Sequence, residues 1–146
     1  MKHNDLVKLF EHAIRIKAPG EVEDAVNATY TMDQPDDFVP YLVQLLESPW
    51  HFDHEDIASL LQHIAAPETV DVLFKIATTK FEYLDYNDSK PLARKCTWAL
   101  ADIGSNKAKE ALIELSKNQD SEIAAFAQKR IDNWESEARR KKHLNL

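Results

Sequence analysis

The chain has 146 residues, 44% of them hydrophobic, with a formal net charge of −7. That is enough for one domain with a real core and too little for two, and it excludes a disordered chain. Two glycines, Gly20 and Gly104, argue against a turn-rich all-β fold and a glycine-built phosphate cradle, and one cysteine, Cys96, excludes an internal disulfide framework and a cysteine zinc cage. No apolar run approaches the ~20 residues of a membrane span, and "MKHNDLVKLFEH" lacks the apolar stretch of a secretory signal, so a cytoplasmic chain is expected.

In chain order, apolar residues recur at i, i+3, i+4 and i+7, the stripe of an amphipathic helix. The first pair of helices is expected near 4–17 and 21–31, within a capping segment 1–34. Three further pairs follow over 35–135, near 36–48 and 54–65, 67–79 and 90–103, then 106–117 and 121–136. Asp53, Ser89, Ser105 and Asp120 are placed to cap helix starts, and Pro35 and Pro67 stand near first-turn positions. A basic tail, 136–146, contains "RRKKH" and reads as a charge complement to a helix end or as a solvated terminus.

The pairs repeat. "IASLLQHIAAPETVDVLFKIA" (57–77) aligns with "CTWALADIGSNKAKEALIELS" (96–116) at an offset of 39, setting Leu61 on Leu100 and Leu73 on Leu112. "DDFVPYLVQLLE" (36–47) aligns with "PETVDVLFKIAT" at an offset of 31, and "IAAFAQKRIDNW" (123–134) aligns with "LARKCTWALADI" (92–103) at the same offset. One pair cannot bury its own stripe, so neighbours must stack, which predicts an all-α solenoid.

The residues of "ARKCTWALADIGSNKAKEALIEL" resemble the HEAT-repeat family, including its PBS-lyase-like subset, over roughly residues 35–135. The resemblance implies a right-handed α-solenoid of about three helical pairs, with the second helices lining a concave face. The chain departs from the pattern at 53–65, which lacks the usual arginine, and at Trp134, which replaces a small residue.

The difference between the offsets marks eight extra residues inside the middle pair, within "KFEYLDYNDSKP" (80–91). Insertions in solenoids fall on one edge, often the binding edge. Tyr83, Asp85, Tyr86 and Asp88 are the aromatic and acidic types that anchor a basic partner. The competing expectation is that Phe81 and Leu84 fold back as a local core plug.

Charge is uneven. From Ala18 to Phe74 no Lys or Arg occurs, while acids fall at 21, 23, 24, 33, 36, 37, 47, 53, 55, 56, 68 and 71. A solvated face explains such a run as well as a binding face does. As a field it repels nucleic acid and membranes and steers basic partners inward.

Position in the repeat sorts the remaining candidates. Trp98 aligns with Ser59 and Lys129, so it should be at least partly exposed, in the middle of the concave face if the resemblance holds. The same register exposes Asp56, His63, Arg94, Lys95 and Asp102 and turns Cys96 inward. "SPWHFDHEDI" (48–57) has metal-ligand types in His51, Asp53, His54 and Glu55, but the matching residues of later repeats, Ala93–Arg94 and Ala124–Ala125, cannot ligate. Asp53 is better placed as a cap, and Trp50 and Phe52 pack at the repeat junction or join the binding edge. No serine sits in a glycine elbow and the one cysteine points inward, so no catalytic residue, metal or cofactor is expected.

The reading with most support is a non-catalytic solenoid, monomeric when free, that captures a basic partner protein through Trp50, Asp53, Asp56, His63, Tyr83, Asp85, Tyr86, Asp88, Lys95 and Trp98. Small acidic HEAT-like solenoids look similar to immunity proteins of bacterial toxin systems, which implies a toxin domain as partner. The alternatives are an accessory or chaperone for a chromophore protein, suggested by the PBS-lyase-like pattern, and a structural module of a larger assembly.

Overall fold

A computed structural model describes residues 1–137, all helix and connection with no strand among them. The helices are α1 (His3–Ile16), α2 (Pro19–Thr29), α3 (Val39–Leu46), α4 (His54–Ile64), α5 (Val70–Ile76), α6 (Lys90–Ile103), α7 (Asn106–Leu115) and α8 (Ser121–Asp132). None of the described helices is long and apolar enough to cross a membrane. The tail residues 138–146, including "RRKKH", lie outside the described residues.

Two expected helices start later than their apolar stripes suggest. The stretch Pro35–Phe38 is a 3₁₀ turn, and α3 begins at Val39 with Pro40 in its first turn. Proline has no N–H to donate, so an α-helix can hold Pro40 only where that donor has no intrahelical partner. Pro67–Thr69 leads into α5 in the same way.

Two of the four expected caps form. Ser105 accepts from the Ala108 N–H, and Asp120 accepts from the N–H groups of Glu122 and Ile123. Ser89 does not cap α6. It sits in the left-handed region at φ 58° after Asp88 at 55°, and its hydroxyl accepts from the Phe81 N–H at 3.2 Å, closing the insertion on itself. Asp53 does not cap α4 either.

The helices pack in pairs, α1 on α2, α3 on α4, α5 on α6 and α7 on α8. Across pairs, α1, α3, α5 and α7 form one row and α2, α4, α6 and α8 another. Side-chain bridges show that neighbours within a row run the same way. In the second row Glu55 reaches Lys95 and Gln62 donates to Asp102 at 3.0 Å, joining start to start and end to end of α4 and α6. In the first row Lys75 bonds Glu47 and Lys107 bonds Asp71.

The core runs between the rows. The aligned residues Leu61 and Leu100, Leu73 and Leu112, Val39 and Val70, and Leu45 and Ile76 are all buried there. Apolar area removed from water stabilises this arrangement at about 25 cal/mol per Å². Cys96 is fully buried, as its repeat position predicts, and burial pushes its thiol up to about 12. A thiol reagent should therefore leave the native chain unlabelled for hours and modify the denatured chain within minutes. Equal rates would contradict the burial.

Candidate partner-binding surface

Two stretches singled out separately in the sequence, 48–57 and 80–91, pack against each other. His51 and His54 are both fully buried, with rings stacked 4.1 Å apart, and Phe81 stacks on the other face of His54 at 3.8 Å. Every ring nitrogen has a partner. His51 Nε2 donates to the Leu45 carbonyl at 2.6 Å, and its Nδ1 accepts from the Asp53 N–H at 3.0 Å. His54 Nε2 donates to the Ser48 carbonyl at 2.7 Å, and its Nδ1 accepts from the Tyr83 hydroxyl at 2.7 Å. The Tyr83 oxygen in turn accepts from the His54 N–H at 3.2 Å.

This pattern fits two neutral imidazoles, each protonated at Nε2. Burial lowers both, and for His54 the adjacent His51 adds to it, bringing it down to about 4. With both lone pairs engaged, neither ring is free to ligate a metal. The insertion is thus held as a plug: Phe81 and Leu84 are buried, and Tyr83 is half-buried with its hydroxyl committed to His54. Burial raises the Tyr83 phenol to about 12. Tyr83 is therefore a latch with one exposed flank rather than a free anchor.

What the plug leaves outside is aromatic and acidic. Phe52 is 65% exposed and meets Tyr83 edge-on at 5.3 Å, and Tyr86 is 80% exposed. Pro49, Phe52, Lys80, Phe81, Glu82 and Tyr83 line a cleft of about 340 Å³. Asp85 is exposed, and Asp88 pairs with Lys80 at 2.8 Å. Trp50 is half-buried against the core. A larger hollow of about 690 Å³ beside Lys90 and Asp120 is lined mostly by polar side chains, with Pro91 among them.

The second row carries the other predicted residues. Asp56 and His63 are exposed on α4, and Lys95 is half-buried on α6, 3.9 Å from Glu55. Trp98 is only half-buried, as its repeat position predicts. It is not bare, because the Arg130 guanidinium lies 3.5 Å over its ring. Arg130 is itself buried and bonds Glu137 at 2.7 Å.

At the start of α4 the carboxylates crowd together. Asp53 is 8% exposed, and its Oδ2 has no hydrogen-bond donor among the described residues. Its carboxyl instead meets that of Asp56, with Glu23 of α2 nearby, and burial followed by that contact pushes Asp53 up to about 7. Burial also raises the phenol of Tyr30, aided by the charges of Asp56 and Asp53. Tyr30 was missed in the sequence, and Glu23 was noted only as one acid of the 18–74 run, because both lie in the capping segment, outside the aligned repeats; their helical spacing of seven was the one sign that they share a face.

Comparison of the chain with family models, with curated proteins and with solved structures returned no match.

Proposed function

We propose that the chain is a HEAT-like α-solenoid that acts in the cytoplasm, without catalysis, by holding a basic partner protein. Like-directed stacking of the helical pairs and their buried repeat positions support the solenoid. The observation that carries the binding role is the set Glu23, Asp53 and Asp56. Asp53 and Asp56 meet within reach of the Glu23 charge, where no Lys or Arg of the described residues pairs with them, whereas Glu47, Asp71, Asp88 and Asp120 each have a lysine. Converged unpaired acids cost stability in the free protein, and a cation supplied from outside removes that cost. Phe52 and Tyr86 add exposed aromatic area on the adjoining edge. An immunity protein that covers a cognate toxin domain is the particular form this reading takes, because fast electrostatic capture suits that role.

The test is a pull-down from the source lysate at low and moderate salt, read by mass spectrometry, followed by calorimetry with the purified partner. One basic protein should be retained at moderate salt and bind with a stoichiometry of one. A salt-labile crowd of basic proteins, or none, would mean that the acidic run is only a solvated face.

A further inference from the structure

Glu23 of α2 and Tyr30, which caps its end, stand seven residues apart, and Asp56 and His63 stand seven apart on α4. Seven residues are two helical turns, about 10 Å, so each pair shares one face of its helix. The two helices are in contact, and the Tyr30 and His63 rings lie 5.7 Å apart at their far ends. At the near ends Asp53 and Asp56 meet, and the charge of Glu23 acts on Asp53 from α2. The result is a groove two turns long, acidic at one end and aromatic at the other.

Asp53 marks the acidic end as more than a crowded surface. It occupies the capping position of α4 yet makes no capping bond, although an aspartate there ordinarily accepts from the first turn. Its buried Oδ2 has no donor among the described residues, and its carboxyl faces a second carboxyl. Two carboxyls in contact are satisfied only by a proton between them or by a cation. The titratable and charged groups around them are Glu23 of α2 and Tyr30 at its end, His51 on the Asp53 N–H, His54, Glu55, Asp56 and His63 of α4, Tyr83 of the insertion and Lys95 of α6, and Lys95 is directed to Glu55.

We infer that this groove seats an arginine side chain of the basic partner, whose guanidinium replaces the proton between Asp53 and Asp56 and lies along the Tyr30 ring. The inference rests on the partner-binding reading. No covalent bond changes; the displaced proton passes to solvent. Arginine fits better than lysine because its planar fork can bond Asp56 and Glu23 in two directions while its face stacks on a phenol ring. A metal ion fits less well, since no three His, Cys, Asp or Glu side chains among the described residues form a ligating group.

The probe is an acetylated, amidated tri-arginine peptide compared with tri-lysine, followed by amide chemical shifts. Tri-arginine should shift residues 23–30 and 53–63 and bind about tenfold more tightly than tri-lysine. Asp56→Asn should weaken tri-arginine by a similar factor, and Tyr30→Ala should erase the preference over tri-lysine. Calorimetry near pH 6 in two buffers of different ionisation heat should detect proton release with the wild type and none with Asp53→Asn. Equal affinity for both peptides, or shifts spread over Asp33, Asp36, Asp37, Glu68 and Asp71, would overturn the groove. A purified partner that binds wild type, Asp56→Asn and Tyr30→Ala alike would also overturn it while leaving partner binding intact. A lysate that yields no partner would remove partner binding even if the peptide behaves as expected.

Discussion

His54→Ala is expected to lower the unfolding free energy by about 3–4 kcal/mol near pH 7.5, measured by urea denaturation. The substitution removes a fully buried ring that stacks on both His51 and Phe81. It also strips the Ser48 carbonyl of its donor and the Tyr83 hydroxyl of its acceptor. His54→Phe keeps the stack and loses only the hydrogen bonds, so it should cost about half as much.

The pH dependence separates the two variants further. His54 is held at about 4 in the folded chain, against 6.5 for an unperturbed histidine. The unfolded chain binds more protons between those values, so this contribution is complete above pH 6.5 and is lost as pH falls toward 4. It amounts to roughly 3 kcal/mol over that window. The phenylalanine variant should show a weaker decline, carried by His51, which burial also lowers. A His54→Ala chain within 1 kcal/mol of wild type would show that the insertion is not latched by this residue.

Asp53→Asn is expected to act in the opposite direction and to stabilise the protein by roughly 2–4 kcal/mol near pH 8. Asp53 is raised from 3.8 to about 7 by burial and by Asp56 and Glu23. The folded chain therefore holds a proton that the unfolded chain releases between pH 3.8 and 7. This contribution is complete below pH 3.8 and is lost as pH rises through 7, leaving a buried charge next to another carboxylate. Asparagine in that place is neutral at every pH and still carries an N–H donor for Asp56. The gain should shrink at pH 5, where Asp53 already holds its proton.

Asp53 opposes His54 between about pH 4 and 6.5 while His51, also lowered by burial, adds to the histidine side, so wild-type stability should still rise with pH there, but less steeply. The Asp53→Asn chain should show the histidine slope uncovered. Equal stability of the two chains near pH 8 would show that the Asp53 carboxylate is already satisfied. A chain that is more stable without Asp53 retains that residue at a cost, which is the pattern expected where binding and stability compete.

Much of the helical order was legible because each helix records its buried face in its own period. The offset of 39 paired Leu61 with Leu100 and Leu73 with Leu112, and all four are core residues. The same register turned Cys96 inward and left Asp56, His63 and Arg94 outside. Helix starts were less legible. Pro40 moved the beginning of α3 to Val39, because a missing N–H outweighs an apolar stripe in the first turn.

The insertion illustrates a different limit. Its length followed from the alignment, but rings and carboxylates suit a docking loop as well as a plug. His51 and His54, about 30 positions earlier, decide between them by offering a buried acceptor to Tyr83 and a flat face to Phe81. Trp98 shows the same dependence. Its position predicted partial exposure, but only the packing of α8 on α6 brings Arg130 over the ring.

By itself, then, the sequence determined an all-helical chain, the faces its helices bury, the place of the insertion and the acidic character of 18–74. Tertiary structure alone decided that the insertion closes on two neutral histidines and that Glu23 and Tyr30 meet Asp53, Asp56 and His63. Burial patterns repeat within one helix and can be read along the chain. Hydrogen bonds and charge encounters join residues dozens of positions apart, and they exist only once the helices have stacked.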